Sequence, residues 1–547
     1  NFGQKPFKFP PPDGFQPLSA SSVRPDDVIS RPDQFFAVTK YDGNSDSSQD
    51  INVGFAPDLV WQKIYNQAGD NALTDTVRGV NAGYLQSEDA DKEKGNANDG
   101  ISAFLSNGFR AYNSFNNNGL NWVSWCWKAG GSAGTFNIDD VDMGSAANAK
   151  MSVGSLNNDA YNDDQTWSNN LSVNTGSVSN PTYAFNGNLT NGADSSASTG
   201  SNDRTMSAQL GIQLNNEIVE VYPNHTYSGF YATIDGVNQP IQYFTTPNGF
   251  KTIGRFTGTL TGVTVTNGTD SSNRPAGIRA IRVGGKILIN NGVTPPNAPS
   301  LAADGCSVGT KQGFSIVTYT SNLAEGGATI PHGLTQKPDF AIFKNRDSTL
   351  GADEVDWGVY HSGIGPDSAL ELNQQLTKQT YPGPFNNVDP TQFLFHLGGQ
   401  SGGSVQGHSY LTNGPSGNKF IAYIWHNVPG LQKFGTYQGT GSGGTAPFIE
   451  LGFRPALVVL KSYEGSTSNW VVLDDKRPAY NTDNLNTLCW NTNADHNASG
   501  GTSNEILANG FKIRGSSDRN ASNTKYIYAA WAASPFSNLY GAQSNAR

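Results

Sequence analysis

The sequence predicts an all-β chain of tandem β-sandwich domains, with three copies of one repeat and one inserted small β-sandwich. Three observations carry this. One aromatic strand is written three times, as Trp122-Val123-Ser124-Trp125-Cys126-Trp127, Phe420-Ile421-Ala422-Tyr423-Ile424-Trp425 and Tyr526-Ile527-Tyr528-Ala529-Ala530-Trp531. Glycine or proline interrupts every stretch long enough for a helix, so very little helix is expected. Runs of alternating apolar and polar residues are separated by Asn- and Gly-rich turns. Alternate side chains of a strand point to opposite faces. The first and last aromatics of each copy therefore face opposite ways, and both faces must be covered.

Each copy closes a longer unit with its own opening signature. Phe35 to Tyr41 leads to Gly54-Phe55-Ala56-Pro57-Asp58-Leu59-Val60-Trp61. Phe314 to Tyr319 leads to Lys337-Pro338-Asp339-Phe340-Ala341-Ile342, and Phe434 to Tyr437 leads to Gly452-Phe453-Arg454-Pro455-Ala456-Leu457-Val458-Val459. One domain has been used three times.

In chain order, residues 1–32 do not look like a beginning. Asn1-Phe2-Gly3-Gln4-Lys5-Pro6-Phe7 and Pro10-Pro11-Pro12-Asp13-Gly14-Phe15 resemble the last strand and tail of a SPRY domain, a β-sandwich recognition module. The first repeat spans 33–133. Its middle, 66–100, is polar and acidic (Glu88, Asp89, Asp91, Glu93), which predicts a solvated surface loop. Asn107-Gly108-Phe109 reads as a turn followed by a strand, and the third repeat copies it as Asn509-Gly510-Phe511. Residues 134–160, with Asp139, Asp140 and Asp142, read as a polar linker. Residues 161–300 read as the inserted sandwich, carbohydrate-binding in type, with strands at 217–222, 259–265 and 278–283 and a closing run at 284–289. Thr294 to Pro299 is a stiff exit linker. Repeats two (311–432) and three (433–540) follow almost without spacer, so they should pack directly.

Composition fits such a protein. A chain of 547 residues has room for about three to five domains. Gly 63, Pro 28 and 11% aromatic residues describe short strands joined by turns. Only 15% of residues are charged, so solubility rests on Asn, Ser, Thr and Gln. A net charge of −10 argues against nucleic acid as partner. Cys126, Cys306 and Cys489 are odd in number and far apart, which predicts free thiols and suits assembly in a reducing cytoplasm. No apolar run reaches the length of a membrane span, and no signal peptide is visible. With Asn1 rather than Met first, the sequence reads as a fragment of a longer chain.

The Gly-Phe-x-Pro-Asp-Leu-Val-Trp signature, the Asn-Gly-Phe turn and the ending Trp122 to Gly131 together resemble a repeat domain of bacteriophage tail fibres of the marine, cyanophage-like type. Asp163-Asp164-Gln165-Thr166-Trp167-Ser168 and Arg279 to Leu288 resemble the β-sandwich found beside those repeats. The resemblance covers nearly the whole chain and implies a virion tail protein that attaches to a host surface glycan or lipopolysaccharide, with other tail proteins as neighbours. It also implies a homotrimer, which sparse charge, abundant Trp and Tyr, and abutting repeats would suit. It defines no binding residues to carry over.

Covalent chemistry finds little footing. A depolymerising tailspike, the enzymatic alternative, needs two carboxylates flanking a glycosidic bond. The candidate pairs are Asp474 with Asp475, Glu217 with Glu220, and Asp139 with Asp140. The first reads as a charged turn, and the second places its carboxylates on opposite strand faces. A purely structural connector is the other alternative. Asp42-Gly43-Asn44-Ser45-Asp46 starts like a calcium loop but lacks its Gly and its closing Glu. The seven histidines form no pair at ligand spacing, so no metal or cofactor is expected. An exposed ring with amides and hydroxyls beside it is the chemistry of a sugar site. Tyr161, Tyr183, Tyr227, Tyr231 and Trp490 are the candidates for receptor contact.

Overall fold

The computed structural model describes residues 29, 31–94, 99–152, 160–161, 165–174, 176–195, 204–226, 228–245, 249–267, 275–291, 293, 298–347, 355–379, 383–405, 408–477, 487–496, 504–515 and 519–535. The SPRY-like segment, Ile29 and Arg31–Pro32 apart, lies outside them. The fold is all-β, and Tyr410–Asn413 is the one α-helical turn among the described residues. The chain divides into two compact units, 1–152 with 299–547, and 153–298.

In the first unit each closing strand is the middle of three. Asn121–Trp127 lies between Phe36–Asp42 and Leu59–Ile64, Lys419–Trp425 between Phe314–Thr320 and Phe340–Asn345, and Lys525–Pro535 between Gln432–Gln438 and Phe453–Glu464, all antiparallel. The opening tyrosines face the first aromatic of their closing strand. Tyr41 stacks on Trp122, Tyr319 on Phe420 and Tyr437 on Tyr526, with ring centroids 6.2, 5.4 and 4.9 Å apart. One face of each sheet packs within its own repeat. In the first repeat this layer is Ser48–Asn52, Gly108–Tyr112 and Gly100–Leu105, with Trp122, Cys126 and Phe109 in the core between. The Asn-Gly-Phe turn needs its glycine for clearance: a Cβ at Gly108 would stand 1.9 Å from Ile51 O, and one at Gly510 2.0 Å from Ile449 O.

The other face of all three sheets packs into one shared core. There Trp127, Trp425 and Trp531 form a triangle, with centroids 6.2, 5.4 and 5.9 Å apart and every pair edge-to-face. Their indole Nε1 atoms have no hydrogen-bond partner among the described residues. The three repeats thus surround a pseudo-threefold axis within one chain.

Two sequence expectations are corrected here. Part of the predicted linker is sheet: Phe136–Ile138 runs parallel to Gly305–Gly309, beside the opening strand of repeat two. Asp139 accepts from Thr310 N and Oγ1, and Asp140 pairs with Lys128. The predicted solvated loop at 66–100 contains the buried strand Asn71–Asp75 and the buried residues Leu85, Gln86 and Ser87. Several of its polar groups, Asn71, Ser87 and Glu93 among them, make contacts with the other two repeats.

The second unit is built on two long antiparallel strands, Thr205–Pro223 and Lys251–Thr266. Bulges at Gln209/Ile212 and Leu214/Glu217 interrupt their pairing, and both halves feed one core containing Met206, Ala208, Val219, Val221, Val263 and Val265. Ser228–Ile234 continues the sheet on one side and Gly277–Val283 on the other.

Candidate functional site

The contacts between repeats in the first unit are built from a lysine six residues after each signature proline: Lys63, Lys344 and Lys461. All three are buried in apolar strands, where an ammonium needs acceptors. Lys63 Nζ donates to Gly69 O (2.9 Å) and Thr492 O (2.7 Å), and Lys344 Nζ to Val355 O and Ala90 O (both 2.7 Å). Lys461 Nζ donates to Ser468 O and to Gln374 O. Each lysine thus binds one carbonyl of its own repeat and one from the arm of another, in cyclic order. The residue across the strand repeats the pattern. Trp357 Nε1 donates to Gln86 O and Asp89 O (both 3.0 Å), Trp470 Nε1 to Glu371 O (3.0 Å), and Asn71 Nδ2 to Thr492 O (3.2 Å).

Between repeats one and three the arms leave a cleft of about 550 Å³, lined by Asp70, Gln86, Glu88, Asp89, Lys94, Asn491, Thr492 and Asn493. Ser87 Oγ donating to Trp490 O, and Gly69 N to Asn493 O, fix its two walls. Glu88 accepts from Asn71 N, and burial pushes its carboxyl above the usual carboxylate range. Burial likewise holds the Lys63 ammonium below its ordinary value. Lys94 is paired with Asp91.

The second unit carries a different surface. On Ser228–Ile234, Gly229 faces Tyr243 and Thr266, and Tyr231 faces Thr264, which in turn faces Ser207. Paired residues of antiparallel strands share a face. This face therefore carries Tyr231, Tyr243, Thr233, Thr266, Ser207 and Gln209 at its surface and Thr264 buried beneath them, its hydroxyl bonded to that of Ser207, opposite the core side chains Phe230, Ala232 and Val265. Tyr243 is 62% exposed and Ile241 42%. A Cβ at Gly229 would meet both of them at 3.0 Å, so the bare glycine lets them lie flat on the sheet. Aromatic faces and hydroxyl rows without a charge among these seven side chains suit the apolar and hydroxyl faces of a neutral sugar.

Of the predicted contacts, Tyr231 lies on this face, half-buried, beside Tyr243, which sequence reasoning missed for want of an alternating pattern around it. Tyr183 is 38% exposed but sits in a turn packed on Gly277–Val283, at the other side of the strand order. Tyr161 pairs in parallel with Leu288, and nothing is described of its side chain; Tyr227 lies outside the described residues. Trp490 is a correction: it is 1% exposed and stacks on Trp61 with centroids 3.9 Å apart.

One member of each candidate carboxylate pair is committed to a cation. Asp474 is ion-paired with Arg477 at 2.6 Å, and Glu220 with Arg282 at 2.6 Å. Asn44, in the calcium-like loop, accepts from Asp46 N and Asn116 Nδ2. No group of three metal-ligating side chains occurs among the described residues. Cys126, Cys306 and Cys489 are free and buried, and burial pushes the Cys306 thiol up to about 12.

A family model described as "Domain of unknown function (DUF7483)" matches residues 31–154 and 289–535, the first unit almost entire, and leaves 155–288 unmatched. No curated protein sequence matches the chain. Solved structures of the arabinofuranosyltransferase AftD from Mycobacteria, one of them of a mutant, overlap 66% of this chain and 35% of that chain, at 9% identity and a TM-score of 0.17. The chain spans about a third of that protein's length, and a likeness this weak carries no argument.

Proposed function

The chain belongs to the family described as a domain of unknown function (DUF7483), and we propose that it is a virion appendage protein of the tail-fibre kind that attaches to a host surface glycan without covalent chemistry. The observation that carries this reading is the uncharged face of Tyr231, Tyr243 and their flanking Thr and Ser hydroxyls. It lies on the unit outside the family match, so the three-repeat scaffold would be shared and the inserted unit would set what is bound. Free, buried thiols fit assembly in the host cytoplasm before release in the virion tail.

Homotrimeric assembly belongs to the same proposal and rests on the resemblance to tail fibres. Sparse charge, abundant aromatics and abutting repeats are already accounted for by the packing of three repeats within one chain. Light scattering tests it, and a mass near 58.3 kDa would count against unaided trimerisation.

The test of attachment is a glycan array and calorimetry on the intact chain. Binding of a neutral surface polysaccharide that Tyr243→Ala weakens by about tenfold, the scale of one lost stacking contact, would support it. Steady release of reducing ends from host polysaccharide would favour the depolymerising tailspike instead. Absence of binding to any host glycan would favour a structural connector.

A further inference from the structure

We infer that the cleft between repeats one and three is a second, separate binding site, and that its ligand is a sugar carrying a protonated amine. Four observations converge. Its volume of about 550 Å³ is that of a small-molecule site and far exceeds a bare ion, and no three carboxylates among the described residues group as metal ligands. Its lining is predominantly acidic: Asp70, Glu88 and Asp89 line it, and among the described lining residues the one cation, Lys94, is also drawn to Asp91, while buried Lys63 offsets part of the charge of Glu88. Acceptors also exceed donors in a second, independent way. Gln86 lines the cleft at 5% exposure, and its Oε1 has no hydrogen-bond partner among the described residues. A buried amide oxygen without a donor is costly, and a ligand N–H or O–H would satisfy it. The opposite wall offers the exposed Asn493 amide beside Thr492, groups of the kind that bind sugar hydroxyls, while the buried Asn491 amide is taken up by Trp470 N and Asn469 Oδ1.

The cleft also has an origin. Each arm is gripped at its backbone by a lysine and by the residue across the strand. In repeats two and three that residue is Trp357 or Trp470; in repeat one it is Asn71. The smaller side chain leaves the wall of this one contact open to the acidic arm. The inference is independent of the tyrosine face, which lies in the other unit and carries no charge.

Asp70 and Asn493 are exposed, so substitutions there leave the packing alone. Isothermal titration of the intact chain with a glucosamine tetramer is expected to show binding that the fully N-acetylated tetramer lacks. Asp70→Asn should weaken it about tenfold, as loss of one charge-assisted hydrogen bond. Asn493→Asp should tighten it. Equal binding of both tetramers, indifference to both substitutions, or equal binding of a lysine tripeptide would overturn the assignment. Tyr243→Ala should leave this affinity unchanged, so failure here and failure of the glycan-attachment reading are told apart.

Discussion

Trp61 of the first repeat lies flat on Trp490 of the third, with ring centroids 3.9 Å apart and planes 17° from parallel. Trp125 meets the same ring edge-on at 6.3 Å, and Tyr65 rests against His496 at 5.2 Å. The third repeat's arm therefore closes the ring of repeats by packing on the first repeat's proline strand. Trp490→Ala is expected to cost about 3–5 kcal/mol in denaturant unfolding, as a fully buried ring does. A ring on the surface would cost within about 0.5 kcal/mol.

The contrast shows what the sequence could carry. The repeated strands were legible because each copy holds its own periodicity, and the pairing of Tyr41, Tyr319 and Tyr437 with the closing aromatics is local to one sheet. The arms were not legible. Their Asn, Asp, Glu and Thr residues have the composition of solvated loops, and what buries them is a lysine or tryptophan supplied by another repeat. The lysine is visible three times in the sequence, but its acceptors are backbone carbonyls, which composition cannot mark. Tyr243 escaped for a related reason: its site exists only because Gly229, on a neighbouring strand, lacks a side chain.

The triangle of Trp127, Trp425 and Trp531 predicts coupled stability. Each single Trp→Ala change should cost about 3–5 kcal/mol. Because the rings touch, the Trp127→Ala/Trp531→Ala pair should depart from the sum of the singles by more than about 0.5 kcal/mol. Additive losses across that pair would show that the repeats unfold independently.

Lys344 is the place to test the staples between repeats. Lys344→Met keeps most of the volume but leaves Ala90 O and Val355 O without their donor, at a cost of about 1–3 kcal/mol for each. The loss should be directional. Amide hydrogen exchange is expected to rise in the 84–94 arm, which this lysine ties to repeat two, and to stay unchanged in the 488–496 arm. Uniformly raised exchange would mean that the lysine acts only through global stability.

His361 takes the position of Asp75 and Asp474 in the other repeats, opposite Phe340 where they face Leu59 and Leu457. Its Nδ1 accepts from Gly363 N (3.0 Å), so Nε2 bears the proton and donates to Tyr528 O (3.3 Å). A second proton would break the first of these bonds and bury a charge, and burial depresses the pKa to about 4. His332 is held the same way, accepting from Leu334 N and donating to Thr391 O, with its pKa depressed to about 3. Both values lie below the ~6.5 of an unfolded histidine, so the unfolded chain binds more protons as the solution is acidified. The stability these groups contribute is complete above pH ~6.5 and is lost as pH falls towards 4. Glu371 works the other way over part of this range, because burial raises its pKa to about 7 and its share of stability falls as pH rises from ~4.5. The difference between wild type and His361→Gln isolates the histidine. Melting temperatures measured from pH 7.5 to 4.5 should fall less steeply for the variant, and parallel curves would show that His361 takes up its proton in the folded protein as readily as in the unfolded chain.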